Sequence, residues 1–212
     1  MPLRYPRVMT PSGNDPGTGA VTSWMGWDVR GGGAADPHAA ESFADSSLPT
    51  SEEEDRYELI AVAARGFRPP RLLSIVHGVA ERSYEGLSLS WSLHYKHVAE
   101  TGPSVTRPYA VYLLGVNPPA DATDDELDFF SDFYTNVHLP EVAERRHALR
   151  ATRYELIKEV RPPYKGAPRF LAVYEVDEES AANRRHVGPP YAKGPEVWQR
   201  HTTPWRLWYR YL

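Results

Sequence analysis

The stretch Arg56-Tyr57-Glu58-Leu59-Ile60 recurs unchanged as Arg153-Tyr154-Glu155-Leu156-Ile157. An internal repeat sets the architecture of a chain ahead of its single elements. The agreement extends outward from both copies. Pro70-Arg71-Leu72-Leu73-Ser74-Ile75-Val76 parallels Pro168-Arg169-Phe170-Leu171-Ala172-Val173-Tyr174, and Leu48-Pro49 parallels Leu139-Pro140. Each copy runs on to an aromatic strand, Pro108 to Leu113 in one and Pro204 to Tyr209 in the other. These parallels indicate a diverged internal duplication.

The second copy is the easier to read. Its β-branched and aromatic residues make Tyr109 to Val116 a strand, which Asn117-Pro118-Pro119 stops. Thr123-Asp124-Asp125-Glu126 is a capping box with carboxylates at the positive end of the helix it starts. Leu127, Phe130, Tyr134 and Val137 follow the helical period, and Pro140 limits the helix, with a further turn through Val142 to Arg146. Strands over Thr152 to Val160 and Phe170 to Val176, an irregular helical region and a last strand from Trp205 to Tyr211 complete the order βαββαβ. That is a ferredoxin-like unit, whose open sheet face needs cover. The first copy is abbreviated: strands near Trp24 to Val29, Tyr57 to Ala64 and Leu72 to Val79, a short helix near His38 to Ala44 and a helix around Leu87 to Val98. The expected fold is α+β, two tandem ferredoxin-like units forming a pseudo-dimer. Residues 1–20 make a flexible arm, 21–107 a degenerate unit and 108–212 the complete one. Spacing leaves open whether Tyr109 to Val116 closes the first unit or opens the second.

Composition narrows the function. The 212 residues are 41% hydrophobic and 25% charged, enough apolar material for one large domain or two small ones. A formal net charge of −4 gives no general pull towards nucleic acid or anionic lipid, so neither nucleic acid nor membrane is expected as a partner. The absence of cysteine removes disulfides, thiolate metal sites and cysteine nucleophiles together. No run of about 18 apolar residues and no apolar signal core occur, which points to a cytoplasmic protein. The 6 Trp and 13 Tyr suit the walls of an apolar pocket that keeps a few hydroxyl or indole donors.

The helix that opens at Thr123 ends in Phe133-Tyr134-Thr135-Asn136-Val137-His138-Leu139-Pro140-Glu141-Val142. Tyr134 and His138 are four apart and so neighbours on one helix face, where a phenol and an imidazole can act on one substrate. Histidine exchanges a proton near neutral pH, and a tyrosine can hold or protonate a developing oxyanion. This segment, within the βαββαβ order, resembles the dimeric α+β barrel superfamily, particularly its EthD-like branch, whose first helix carries a His-Leu-Pro-like motif followed by an acidic and an aliphatic residue. The resemblance covers Pro108 to Leu212 well and the first copy loosely. It implies aromatic polyketide cyclases, muconolactone-type isomerases or quinol-forming monooxygenases that use no bound cofactor, with His138 in a pocket between helix and sheet. In the first copy Phe43 stands opposite Tyr134 and Ser47 opposite His138, so that half lacks both titratable groups.

The expected site therefore centres on His138 and Tyr134 as acid–base groups, with Phe130, the strand phenols Tyr154 and Tyr174, Trp205 and His77 binding an aromatic or polyketide-like carbonyl substrate. No cofactor and no metal are expected, and pairing of two chains as a homodimer is compatible with this reading. The leading function is a cyclase, isomerase or lyase; the alternatives are a cofactor-free monooxygenase and a non-catalytic ligand-binding or assembly protein. His94 and His97 are three apart on the expected helix, a spacing that can bind metal, without a third ligand in evidence. Gly31-Gly32-Gly33 lacks the strand-to-helix context of a phosphate cradle. Arg145, Arg146 and Arg150 form a basic cluster that could meet a substrate carboxylate.

Overall fold

In a computed structural model of the chain, residues 19–29, 43, 54–62, 68–105, 107–183 and 191–212 are described. The strands are β1 (Val21–Val29), β2 (Glu54–Val62), β3 (Leu72–His77), β4 (Leu87–Thr101), β5 (Ala110–Asn117), β6 (Arg150–Arg161), β7 (Phe170–Val176) and β8 (Thr202–Tyr211). Between β5 and β6 lie α1 (Asp124–Phe133), a π-helical turn (Tyr134–His138) and α2 (Leu139–Arg145). Between β7 and β8 lie α3 (Glu178–Ala182) and α4 (Glu196–Gln199). The strands close into one barrel in the order β1-β3-β2-β8-β5-β7-β6-β4, every pair antiparallel. The fold is a mixed α+β, mostly sheet, eight-stranded barrel. Closure is how the open faces find cover: two sheets join edge to edge through β2–β8 and β4–β6, so none of the described strands keeps a free edge. No described helix is long and apolar enough to cross a membrane.

The barrel order divides into the quartets β4-β1-β3-β2 and β8-β5-β7-β6, and corresponding residues do the same work in each. Both Arg-Tyr-Glu-Leu-Ile copies lie in strands, β2 and β6. The Tyr95 hydroxyl donates to the Pro168 carbonyl and the Tyr209 hydroxyl to that of Pro70, each at 2.9 Å. Trp91 and Trp205 face each other with ring centroids 5.5 Å apart. A Cβ on Gly26 would meet Pro70 Cγ at 2.4 Å, and one on Gly115 would meet Pro168 Cγ at 2.7 Å, so the same close approach excludes a side chain at both places. β5 pairs with β7 and β8, which places Tyr109 to Val116 with the second quartet.

Alternation along each strand separates two cores. Trp24, Tyr57, Leu73, Leu93, Tyr95, Val111, Val173, Leu207 and Tyr209 fill the barrel interior. Tyr112, Phe170, Tyr174 and Trp208 point outward under the helices, against Phe130, Tyr134, Val142 and Trp198. A smaller cluster of Met25, Trp27, Phe43, Leu72 and Tyr84 lies on the outer face of the first quartet.

The helix expected over Leu87 to Val98 is instead the long strand β4. Leu87-Ser88-Leu89-Ser90-Trp91-Ser92-Leu93 alternates apolar and small polar residues with period two, and that pattern decides the element. His94 and His97 consequently leave opposite faces: His94 Nδ1 is 3.0 Å from Ser23 Oγ, and His97 Nε2 is 3.3 Å from Glu100. Among the described residues no group of His and carboxylates is arranged to hold a metal ion. Ser47, Leu48-Pro49, the glycine run from Gly31 and the short helix expected near His38 lie outside the described residues, Phe43 excepted.

Candidate small-molecule site

α1 starts where the sequence says it should. Thr123 Oγ1 accepts the Glu126 N–H at 3.3 Å and the Glu126 carboxylate accepts the Thr123 N–H at 2.9 Å, with Asp124 and Asp125 at the same positive helix end. The helix then widens: the Leu139 N–H donates to the Tyr134 carbonyl, five residues back, before Pro140 begins a new α-helical segment. Pro140 has no N–H to offer the preceding turn, and the π turn spans that place. It lowers His138 into the space between helix and sheet, with its ring 4.6 Å from Trp198 and 5.4 Å from Tyr191. Glu141, the acidic residue of the motif, is buried and serves the wall. It pairs with Arg145 and accepts the Ala192 N–H at 3.0 Å, while the Arg145 guanidinium lies 4.5 Å over the Tyr191 ring. The irregular segment around Tyr191 is thereby held to α2.

A cavity of about 240 Å³ lies here. β5 supplies Tyr112 and Leu114, the π turn His138, α2 Val142 and its C-cap Arg146, the segment before β8 Tyr191, Trp198 and His201, and β8 Thr203 and Arg206. Arg146 also lies 4.2 Å over the Tyr112 ring. Among the described residues the lining holds two arginines, two histidines, two phenols and an indole, and no carboxylate. Burial, with His201 and Arg145 nearby, pushes the His138 pKa down to about 3. His138 is therefore a neutral imidazole at neutral pH, and its Nδ1 is buried without a partner.

Tyr134 lies behind this cavity rather than on its wall. It is fully buried, packed on Phe130, Phe170 and Trp198, and its hydroxyl has no partner. Burial raises its pKa above the usual phenol value. Beneath it runs Arg153, also fully buried, with its guanidinium 4.6 Å over Tyr134 and 4.4 Å over Phe170. Its Nη1 donates to Ser131 O, Ser131 Oγ and Thr135 Oγ1 at 3.0, 2.9 and 2.6 Å, while Nε and Nη2 have no partner. Burial lowers its pKa to about 10. A guanidinium held without a carboxylate makes the space between helices and sheet electropositive.

The structure thus brings His138, Tyr134, Phe130 and Tyr174 to one side of the sheet, and Arg146 joins them. It does not bring Tyr154, Trp205 or His77. Tyr154 and Trp205 belong to the barrel interior and His77 to its rim, because alternation sends Tyr154 and Tyr174 to opposite faces of the same sheet. Tyr112, Tyr191, Trp198, His201, Arg206 and Arg153 complete the site without having been singled out. Arg153 had a signal: the repeated pentapeptide begins with it, and its counterpart Arg56 is preceded two residues earlier by Glu54 where Arg153 has Ala151.

No family model and no curated protein matches the chain. Solved structures with a similar course include two mutant forms of chlorite dismutase from Candidatus Nitrospira defluvii. One has a TM-score of 0.49 at 12% identity, covering 91% of each chain. The other, in complex with cyanide, has a TM-score of 0.47 at 12% identity, covering 92% of this chain and 91% of that one. A heme-binding protein from Thermus thermophilus gives a TM-score of 0.48 at 10% identity, with 92% and 91% covered.

Proposed function

We propose that this chain is a single-chain counterpart of the dimeric α+β barrels, of the EthD-like kind, whose second half keeps a small-molecule site that the first half has lost. The matched positions of the two pentapeptides, of Gly26 and Gly115, and of the crossed Tyr95 and Tyr209 hydrogen bonds support descent from one duplicated ferredoxin-like unit. The site takes a compact aromatic or polyketide-like carbonyl compound that carries, or develops, negative charge. One observation carries this reading: among the described residues the cavity offers Arg146, Arg206, His138 and His201 between aromatic walls and no acid.

The chemistry follows from the neutral imidazole. In the free protein His138 holds its lone pair without a proton, because burial and the nearby cations disfavour imidazolium. An anionic ligand inverts that balance: negative charge beside the ring raises its proton affinity. His138 accepts a proton from the carbon next to the substrate carbonyl, the C–H pair becomes the enolate, and the cations and the Tyr112 hydroxyl stabilise the oxyanion. Return of the proton to a different carbon, or attack of the enolate carbon on a second carbonyl, gives isomerase or cyclase chemistry. Tyr134, behind the wall, supports the ring of His138 instead of touching the substrate. No cofactor enters these steps.

The test is titration of the purified protein with 1-hydroxy-2-naphthoate and its uncharged amide, read by quenching of the tryptophan emission to which Trp198 contributes. The acid should saturate the signal and the amide should bind at least tenfold more weakly; equal binding, or none, sinks the reading. Arg206→Ala should abolish the preference. Oxygen uptake in the presence of bound naphthols would favour the cofactor-free monooxygenase. Binding with no turnover of any carbonyl compound would favour a non-catalytic cytoplasmic binding protein.

A further inference from the structure

The inside of the sheet carries a second constellation that the cavity under the helices does not use. β7 sends Tyr174 out to the helices and Glu175 inward, next to Val173 of the barrel interior. Glu175 lies level with Arg150 of β6 and Val111 of β5, and its Oε2 is buried without a partner. At the same end β2 contributes Asp55 and Tyr57, β8 Tyr211, β6 Tyr154 and β4 His97. The aromatic rings form two edge-to-face pairs that correspond between the quartets: Tyr57 with Tyr211 at 5.3 Å and His97 with Tyr154 at 5.9 Å. The His97 side chain is nine-tenths buried, at 10% exposure, and its Nδ1 also lacks a partner.

We propose that this polar end of the barrel, formed by Glu175, Asp55, Tyr57, Tyr154, Tyr211 and His97, is a second ligand site that takes a small organic cation. Three features of the geometry select that class. The walls are electron-rich rings, which attract a cation held near their faces. The carboxylates outnumber the fixed cations: Glu100 is paired with Arg150, Tyr211 hydrogen-bonds both Asp55 and Arg107, and among the described residues of this end Asp55, Glu100 and Glu175 face two guanidiniums, which leaves room for one positive charge. The floor is apolar, through Val111 and Val173, which favours an alkylammonium over a hydrated metal ion. The rim is open, since Glu175, Asp55 and Tyr154 are only partly buried.

The titration of Glu175 agrees with this. Burial raises its pKa to about 7, opposed by Arg150 and reinforced by Asp55 and Glu100, while burial also raises Asp55, opposed by His77 and Arg107. A bound cation reverses the burial term, and binding therefore strengthens as Glu175 ionises. This site stands on residues separate from the anion cavity, and its failure leaves that reading untouched.

Choline is the probe, with 3,3-dimethylbutan-1-ol as its uncharged isostere, and binding to the full chain is followed by chemical-shift changes of the tyrosine rings. Choline should saturate at millimolar concentration and bind roughly tenfold more tightly at pH 8 than at pH 6, following the ionised fraction of a group with pKa about 7. Glu175→Gln should weaken choline at least tenfold, remove the pH dependence and leave naphthoate binding unchanged. Glu175→Gln replaces a carboxyl that burial already disfavours, and thermal melting checks that it folds; Asp55→Asn, expected to weaken choline severalfold, serves as the second variant. Equal binding of the uncharged alcohol, unchanged affinity in both variants, or no saturable binding at pH 8 would each overturn the proposal.

Discussion

Arg56 and Arg153 open the same pentapeptide in the two halves of the barrel and lie under corresponding helix-side rings, yet their charges are handled differently. Arg56 sits 5.6 Å from the Phe43 ring and 5.4 Å from that of Tyr84, donates to the Phe43 carbonyl at 2.8 Å, and pairs with Glu54, which also holds Arg82 and the Tyr84 hydroxyl. Arg153 keeps the ring contacts and the carbonyl bond but has Ala151 where its counterpart has Glu54. One half has its arginine neutralised inside a closed aromatic cluster. The other leaves a buried positive charge beside a cavity. A single carboxylate separates a structural arginine from one that gives its surroundings an electropositive field.

The largest expected effect lies in the half with the cavity. His138→Ala should lower turnover of a carbonyl substrate by about 10²- to 10⁴-fold in single-turnover kinetics, the usual worth of a positioned proton-transfer group, without loss of fold. Full activity in a folded variant would erase the functional difference between the halves, as would an equal loss on changing Ser47. Next comes stability. Glu54→Ala removes the buried carboxylate that holds Arg56, Arg82 and the Tyr84 hydroxyl and should cost about 3–5 kcal/mol in urea denaturation, whereas Arg153→Met removes a charge that pairs with no carboxylate among the described residues and should change stability by about 1 kcal/mol or less. Equal losses would show that a carboxylate compensates the Arg153 charge after all.

A subtler contrast is in the pH dependence. His138 has its pKa lowered from 6.5 to about 3 by burial, so the unfolded chain binds its proton first; its contribution is present above pH 6.5 and is lost as pH falls towards 3. Glu175 has its pKa raised from 4.5 to about 7 by burial, so the folded chain binds its proton first; that contribution is present below pH 4.5 and is lost as pH rises to 7. Between pH 4.5 and 6.5 the two slopes oppose each other. Glu175→Gln should steepen the rise of stability with pH across that window by about 1.4 kcal/mol per unit, measured by denaturation at fixed pH values. An unchanged slope would mean that the carboxyl is not shifted. The smallest effect is Tyr134→Phe, which keeps the packed ring and removes a hydroxyl with no partner: stability should hold or rise slightly, and activity should fall far less than in His138→Ala.

Much of this was legible in the chain. The duplicated pentapeptide, the capping box at Thr123, the stop at Pro118-Pro119 and the strands from Phe170 and Trp205 depend on local pattern, and local pattern is written in neighbouring residues. The pairing of Tyr134 with His138 was equally local, since four residues make one helical face. Where the expectation differs from the structure, as over Leu87 to Val98, the period-two alternation of serines with apolar residues makes the strand β4 in place of the expected helix.

What tertiary structure alone decided is which faces meet. Period two gives every strand two faces without saying which looks into the barrel and which towards the helices, so Tyr154 and Tyr174 read alike and ended on opposite sides of one sheet. Trp198 comes from the four-residue helix α4 and Tyr191 and His201 from the irregular chain on either side of it, too short for a period to read and fixed by long-range contacts such as the Glu141 bond to Ala192. Closure of the barrel, which sets Glu175 of one quartet facing Asp55 of the other, depends on strand pairs far apart in sequence. No local pattern encodes those pairs, because the energy that selects them comes from burying both faces of the sheet at once.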